Sequence, residues 1–213
     1  MKIVFIGSSG LVGGHLLSLL INNQSITSIV LINRKNLDVK STKIEQINIP
    51  QLNAKHIDGL NISGDCFICT TGTTIKKAGS KKNFKEVDFD LAYSFGKLGE
   101  RGNAKSIHLI SSKGANSKSR FFYNQVKGDL EAVFKELKIP SIYFYRPSLL
   151  IGSRNESRPL EFFGIKTIQF LSPFLPKNIQ KDLGTKVLAL ATLMLELVQA
   201  SKQGVHYIES NQI

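Results

Sequence analysis

Tyr123 and Lys127 stand four residues apart, a spacing that puts both side chains on one face of a helix. Tyrosine is a poor acid or base near neutral pH, because its reference pKa is about 10. A neighbouring ammonium favours the phenolate, so such a pair can pass a proton to or from a substrate oxygen. Ser112 ends an apolar run upstream of Tyr123, and its hydroxyl could hold the same oxygen. Ser111 competes for that place. Side chains alternate along a strand, so only one of the two serines can face a common site.

A second constellation lies at the start of the chain. Gly7-Ser8-Ser9-Gly10-Leu11-Val12-Gly13 follows the apolar run 2–7 and opens a helical pattern. One glycine serves the sharp turn, another lets backbone approach a pyrophosphate, and a third lets the helix pack closely on a sheet. The helix N-terminus adds free N–H groups and partial positive charge. Gly7, Ser9, Gly10, Leu11, Val12 and Gly13 are therefore the expected contacts of a dinucleotide. The next apolar run ends in Asn33-Arg34-Lys35. A carboxylate at that edge would accept from a ribose 2′-hydroxyl and favour NAD, whereas an arginine can pair with a 2′-phosphate. Arg34, with Lys35 adding to the field, predicts NADP(H) in preference to NAD(H).

The elements that must position these groups alternate along the chain. Strands are expected at 2–7, 28–33, 43–49, 65–71, 106–112 and 141–146, with helices at 11–22, 84–101, 120–137 and 184–201. Val205–Tyr207 is a candidate edge strand. Only about nine residues separate the second and third strands, too few for an ordinary crossover helix. The alternation predicts an α/β fold, a doubly wound, mostly parallel sheet in one domain over 1–213. Residues 152–183, with Phe162, Phe163, Phe170 and Phe174, are expected to add a small apolar cap over a substrate. Only 86 residues follow Lys127, which predicts a small pocket.

Composition narrows the alternatives. The chain has 213 residues with 42% hydrophobic content, ordinary for a globular protein and too short for two large domains. No apolar run approaches the ~20 residues of a membrane span. Met1-Lys2 leads directly into the first strand without a signal-peptide pattern, so a cytoplasmic address is expected. The net charge is +12, and residues 76–120 alone carry 11 basic against four acidic residues. That stretch suits an acidic partner or an anionic ligand. Without a familiar nucleic-acid module, sequence-specific nucleic acid is not expected. Cys66 and Cys69 spell C-x-x-C, but residues three apart in a strand point to opposite faces, so core thiols are expected rather than a metal or redox pair. The four histidines are dispersed and form no metal-ligand spacing.

Several segments together resemble the Tat-interacting, oxidoreductase-like branch of the atypical short-chain dehydrogenase/reductases. They are Phe67 to Gly79, Val87-Asp88, Ser111 to Ala115, Phe122 to Gly128, Arg146-Pro147 and Asn155 to Pro159, while the Gly-x-x-Gly-x-x-Gly spacing resembles the extended and atypical branches at large. The resemblance runs over nearly the whole chain. It implies a Rossmann-type domain binding NADP(H), with Tyr123 and Lys127 as the reductase pair; Ser112 is then expected to orient a small carbonyl or hydroxyl substrate. It further implies cofactor contacts from Thr71, Gly72, Pro147 with the loop after it, and Arg154. Ser148 stands where many relatives have glycine. Two readings of function follow: an oxidoreductase, or a cofactor-bound regulator acting through partners. A homodimer is compatible with either.

Overall fold

Continuous apolar runs with no alternation are the pattern of strands covered on both faces, and they form the centre of the sheet. In the computed structural model, which describes residues 1–152, 184–200 and 202–213, these runs become β1 (Lys2–Ile6), β2 (Ser28–Asn33), β4 (Cys66–Cys69), β5 (Ser106–Ile110) and β6 (Ser141–Arg146). β3 (Ile44–Asn48) and β9 (Gly204–Glu209) are the less buried edges. The sheet runs β3-β2-β1-β4-β5-β6-β9, and every pairing is parallel.

Helices cover both faces. α1 (Leu11–Asn22) and α7 (Val187–Ala200) bury Leu16, Leu20, Leu190 and Met194 against Ile3, Phe5, Leu31 and Ile68. On the other face, α5 (Ala92–Arg101) and α6 (Phe122–Lys135) bury Phe95, Leu98, Leu130 and Phe134 against Val4, Ile6, Phe67 and Phe144. Cys66 and Cys69 fall into these two opposite cores, both as free thiols. Burial pushes the Cys66 thiol up to about 12, so it stays protonated at neutral pH.

The connections depart from expectation in places. The β2–β3 link contains no helix, as its length predicts. A short α2 (Ala54–Asp58), capped by the Asn53 side chain, was not foreseen. The segment before α5 begins earlier than expected, with α3 (Ile75–Ala78), α4 (Lys81–Lys85) and one π-helical stretch, Glu86–Leu91. β5 ends at Ile110, so Ser111 and Ser112 lie just beyond the strand rather than within it. Leu150–Ile151 (β7) and Thr185–Lys186 (β8) form a small parallel pair. Residues 153–183, holding most of the expected cap, lie outside the described residues. Among the described residues no helix is long and apolar enough to cross a membrane.

One polar feature interrupts the α7 face. The fully buried His108 places Nδ1 2.8 Å from the Tyr145 hydroxyl and stacks on Tyr143 at 4.5 Å. Burial, with a smaller push from His206, drives the His108 pKa down to about 3, so the folded protein keeps this ring neutral. An unfolded histidine titrates near 6.5, so between pH ~6.5 and 3 only the unfolded chain takes up this proton. Stability is therefore full above that window and falls through it, by up to about 1.4 kcal/mol per pH unit. Urea midpoints between pH 7 and 4 should fall more steeply for the wild type than for His108→Gln. Equal slopes would refute the assignment.

Candidate functional site

The strand order turns back beside β1: the chain runs outward from β1 to β3, then returns to β4 on the other flank. In doubly wound sheets the crevice outside the strand C-termini at such a point is the usual ligand site. The glycine turn lies there. Gly7 has φ +91°, and a Cβ on it would fall 2.6 Å from the Thr70 carbonyl carbon and from Thr71 N. A Cβ on Gly13 would collide with the Gly7 carbonyl oxygen. Gly10 is the N-cap of α1 and has no side chain to cap with, and the first turn carries no acidic residue. The N–H groups around Leu11 and Val12 thus begin a helix with no side-chain cap, a cradle suited to a phosphate. Ser9 is exposed beside it.

Thr70 Oγ1 donates to the Gly7 carbonyl at 2.9 Å, fixing the end of β4 against the turn. Thr71 and Gly72 follow directly, with the Thr71 hydroxyl 3.1 Å from Cys69 Sγ. Pro147 is buried, and its carbonyl accepts from Lys113 N at 2.9 Å. Arg34 and Lys35 are exposed just past β2. Arg154 lies outside the described residues.

Lys127 is buried on α6, and its Nζ lies 2.7 Å from Asp88 Oδ1, with both side chains at most 4% exposed. Asp88 comes from the π-helical stretch, a feature that often marks functional sites. Its Oδ2 accepts from Thr73 N at 2.8 Å. One carboxylate therefore ties α6 to the loop after β4. Burial opposes the charge on Lys127. The Asp88 carboxylate, by charge and by hydrogen bond, leads the influences that outweigh it and hold the Lys127 pKa above its ordinary value. Tyr123, half-buried one turn earlier, packs its ring 5.5 Å from the buried Phe84.

The two serines separate cleanly. Ser111 Oγ donates to Glu131 Oε1 at 2.5 Å. Glu131 also receives Arg146 Nε at 3.0 Å and Nη2 at 2.5 Å, and Arg146 Nη1 reaches Glu209 Oε1 at 2.8 Å. Ser112 Oγ is buried and has no hydrogen-bond partner among the described residues. The loop carrying it is pressed onto α6 at Gly128, where any Cβ would run into Asn116 and Ser117 backbone.

The structure thus brings Lys127, Tyr123 and the glycine turn to one rim of the sheet. It adds two groups that sequence reasoning gave no role: Asp88 and Glu131. An aspartate set between the apolar Val87 and Phe89 was the available signal for the first.

No family model matches the chain. Among curated proteins, HTATIP2 of Rattus norvegicus is 34% identical, covering 78% of this chain and 69% of its own. The fmp52 protein of Emericella nidulans is 35% identical, covering 75% and 71%. The chain belongs to the HTATIP2/FMP52 family. This is the branch of atypical short-chain dehydrogenase/reductases that the motifs resemble. FMP52 of Lodderomyces elongisporus, 31% identical over 74% of this chain and 70% of its own, is named a mitochondrial protein, as are other fungal FMP52 members. The cytoplasmic expectation is overturned by these names, which the fungal relatives carry. That expectation rested on the lack of a secretory pattern at the first strand, which does not separate cytosol from mitochondrion.

Solved structures place the family's fold. A UDP-N-acetylglucosamine 4-epimerase of Bacillus cereus superposes with TM-score 0.71 at 14% identity, over 98% of this chain and 77% of its own. Human epimerase family protein SDR39U1, solved with NADPH, gives 0.65 at 14%, over 98% and 74%. The HTATIP2/FMP52 chain described here therefore has a Rossmann-type short-chain dehydrogenase fold.

Proposed function

We propose that this protein is an NADP(H)-dependent oxidoreductase acting on a small carbonyl or hydroxyl substrate. The observation that carries the reading is the pairing of a buried, unpartnered Ser112 hydroxyl with the Tyr123/Lys127 helix beside an uncapped glycine turn. The turn of Gly7, Gly10 and Gly13 suits a pyrophosphate, because Gly7 and Gly13 let the chain close tightly on the end of β4 and on itself, while Gly10 leaves the N–H groups that open α1 without a side-chain cap. Gly7, Ser9, Gly10, Leu11, Val12 and Gly13 would hold it, with Thr71, Gly72 and Pro147 along the crevice and Arg34 and Lys35 at the adenosine end.

A bound nicotinamide would supply or accept the hydride. In the reductive direction Ser112 Oγ donates a hydrogen bond to the carbonyl oxygen, and Tyr123 gives its hydroxyl proton to that oxygen as charge develops there. Lys127 holds positive charge beside Tyr123. An ammonium has three donors; one faces Asp88, and the others are available to the tyrosine oxygen and to a ribose hydroxyl. Asp88 keeps the lysine aimed and charged, and acts as a positioning residue.

Purified protein should quench NADPH fluorescence on titration and oxidise NADPH with members of a panel of small aldehydes and ketones. Absence of dinucleotide binding would overturn the reading. Binding without turnover on the panel would leave only the coarser statement, an NAD(P)-binding protein.

A further inference from the structure

One face of α6 carries a further buried acid. Tyr123, Lys127 and Glu131 succeed one another at intervals of four residues, so Glu131 lies one turn beyond the lysine along the same side of the helix. Glu131 is buried, as is Ser111. The Glu131 carboxylate takes the Arg146 guanidinium as a fork, with Nε donating to Oε1 at 3.0 Å and Nη2 to Oε2 at 2.5 Å. Oε1 also accepts from Ser111 Oγ at 2.5 Å. A carboxylate facing a guanidinium only accepts, so the direction of these bonds is unambiguous. The guanidinium carbon sits 4.4 Å over the centre of the Tyr207 ring, a contact that holds its plane.

These bonds converge on two chain ends that matter for the chemistry. Arg146 is the last residue of β6, and Ser111 directly follows the last residue of β5. The next residues are Pro147 and Ser112. Backbone bonds tie the two segments together, from Ser111 N to the Tyr145 carbonyl at 2.7 Å and from Lys113 N to the Pro147 carbonyl at 2.9 Å. Hydride has to reach the carbon whose oxygen Ser112 and Tyr123 hold, so a bound nicotinamide belongs at these strand ends, across the crevice from Arg34 at the end of β2. A buried ion pair is often no more stabilising than apolar residues of the same volume. What a bidentate pair supplies is fixed geometry. Here it fixes α6, with Tyr123 and Lys127, to the strand end from which Pro147 starts.

We infer that Glu131 is a positioning residue: through its fork on Arg146 it sets the Pro147 end of β6 against the Tyr123/Lys127 helix, and so fixes where the nicotinamide lies relative to Tyr123. The inference rests on the dinucleotide reading above. Ser111 adds a third bond to the same carboxylate, but the fork closes without it. The outer bond of Arg146, from Nη1 to Glu209, ends on a side chain that is 44% exposed, where an ion pair contributes little.

The test reads the nicotinamide itself and needs no turnover. Fluorescence anisotropy of bound NADPH at saturation, with calorimetric titration of 2′,5′-ADP as a ligand lacking nicotinamide, compares wild type with Glu131→Gln, Arg146→Lys, the double variant and Glu209→Ala. Arg146→Lys keeps the charge and loses the fork. Glu131→Gln and Arg146→Lys should each lower the anisotropy of the bound nicotinamide while 2′,5′-ADP affinity holds within about threefold. With a substrate from the panel, kcat should fall roughly 10- to 100-fold, the scale set by a misplacement of about 1 Å, and KM for NADPH should change less. The double variant should be no worse than the poorer single one, because both break one fork. Glu209→Ala should match the wild type. Circular dichroism and a thermal melt check folding, and Arg146→Lys decides if Glu131→Gln does not fold. A folded variant with a lower melting temperature and unchanged anisotropy would make the network a brace for the fold alone and overturn the inference. Equal losses of NADPH and 2′,5′-ADP affinity would show a general loosening of the site and overturn it as well. Wild-type protein that binds no dinucleotide would overturn the cofactor reading and this inference with it.

Discussion

Asp88→Ala should destabilise the fold by about 3–5 kcal/mol, the scale for breaking a buried ion pair from one side. The carboxylate and the Lys127 ammonium are 2.7 Å apart and almost wholly removed from water. Removing Asp88 leaves an uncompensated charge in the core and also strips Thr73 N of its acceptor. The pH dependence should change sign as well. In the wild type the Lys127 pKa is raised, so the pair's stability is fully present below lysine's ordinary value and is lost as pH rises through the folded value. In Asp88→Ala, burial becomes the dominant influence and favours neutral lysine, so the variant should gain stability as pH rises toward that range. Urea unfolding at pH 7 and 9.5 reads the loss and the variant's rise, while the wild-type pair, whose own loss begins only above lysine's ordinary value, should contribute equally at both. The double variant Asp88→Leu/Lys127→Met should recover much of the loss, because it removes both charges together. A loss below about 1 kcal/mol for Asp88→Ala, the size of an exposed pair, would show that water reaches the ion pair.

The same pair shows where sequence legibility ends. The central strands were readable because Ile3–Ile6, Ile29–Ile32 and Ile142–Tyr145 must bury on both faces, and nothing but a covered parallel sheet accepts such runs. The glycine turn was readable because local sterics alone require its residues. α2 was not, since a five-residue helix offers too few turns for periodicity to show. The π-helical stretch at Glu86–Leu91 shifts the register by which Asp88 turns inward, and helical spacing presumes the ordinary register. The choice between Ser111 and Ser112 depends on Glu131, twenty residues away and oriented by Arg146 from another strand. In each case the missing information is a long-range contact or a backbone irregularity.

Tyr123→Phe should leave the fold intact and remove the reaction. The ring packs against Phe84, a contact that phenylalanine preserves. Tyr123 is half-buried, so loss of the hydroxyl should change stability little. Proton transfer by a positioned side chain contributes typically 10²–10⁴-fold, so kcat for carbonyl reduction should fall by about that factor. Dinucleotide affinity should hold within about threefold, because the cradle and the β2 end are untouched and the lost hydroxyl contributes at most one hydrogen bond. This split separates the two readings of the family's site. An oxidoreductase loses kcat and keeps NADPH. A cofactor-bound partner protein shows no turnover to lose, and Tyr123→Phe then changes neither activity nor binding. Ser112→Ala supplies the internal control. Ser112 Oγ has no partner among the described residues, so its removal deprives only the substrate oxygen of a donor. Its kcat should fall by about 10²-fold or more, as when a single donor to a developing oxyanion is lost. Ser111→Ala should act differently. It removes a buried donor to Glu131, so it should appear chiefly as lost stability, with turnover per folded molecule largely kept. Turnover that survives in Tyr123→Phe and Ser112→Ala but fails in Ser111→Ala would move the substrate oxygen to the other side of the β5 terminus and overturn the assignment.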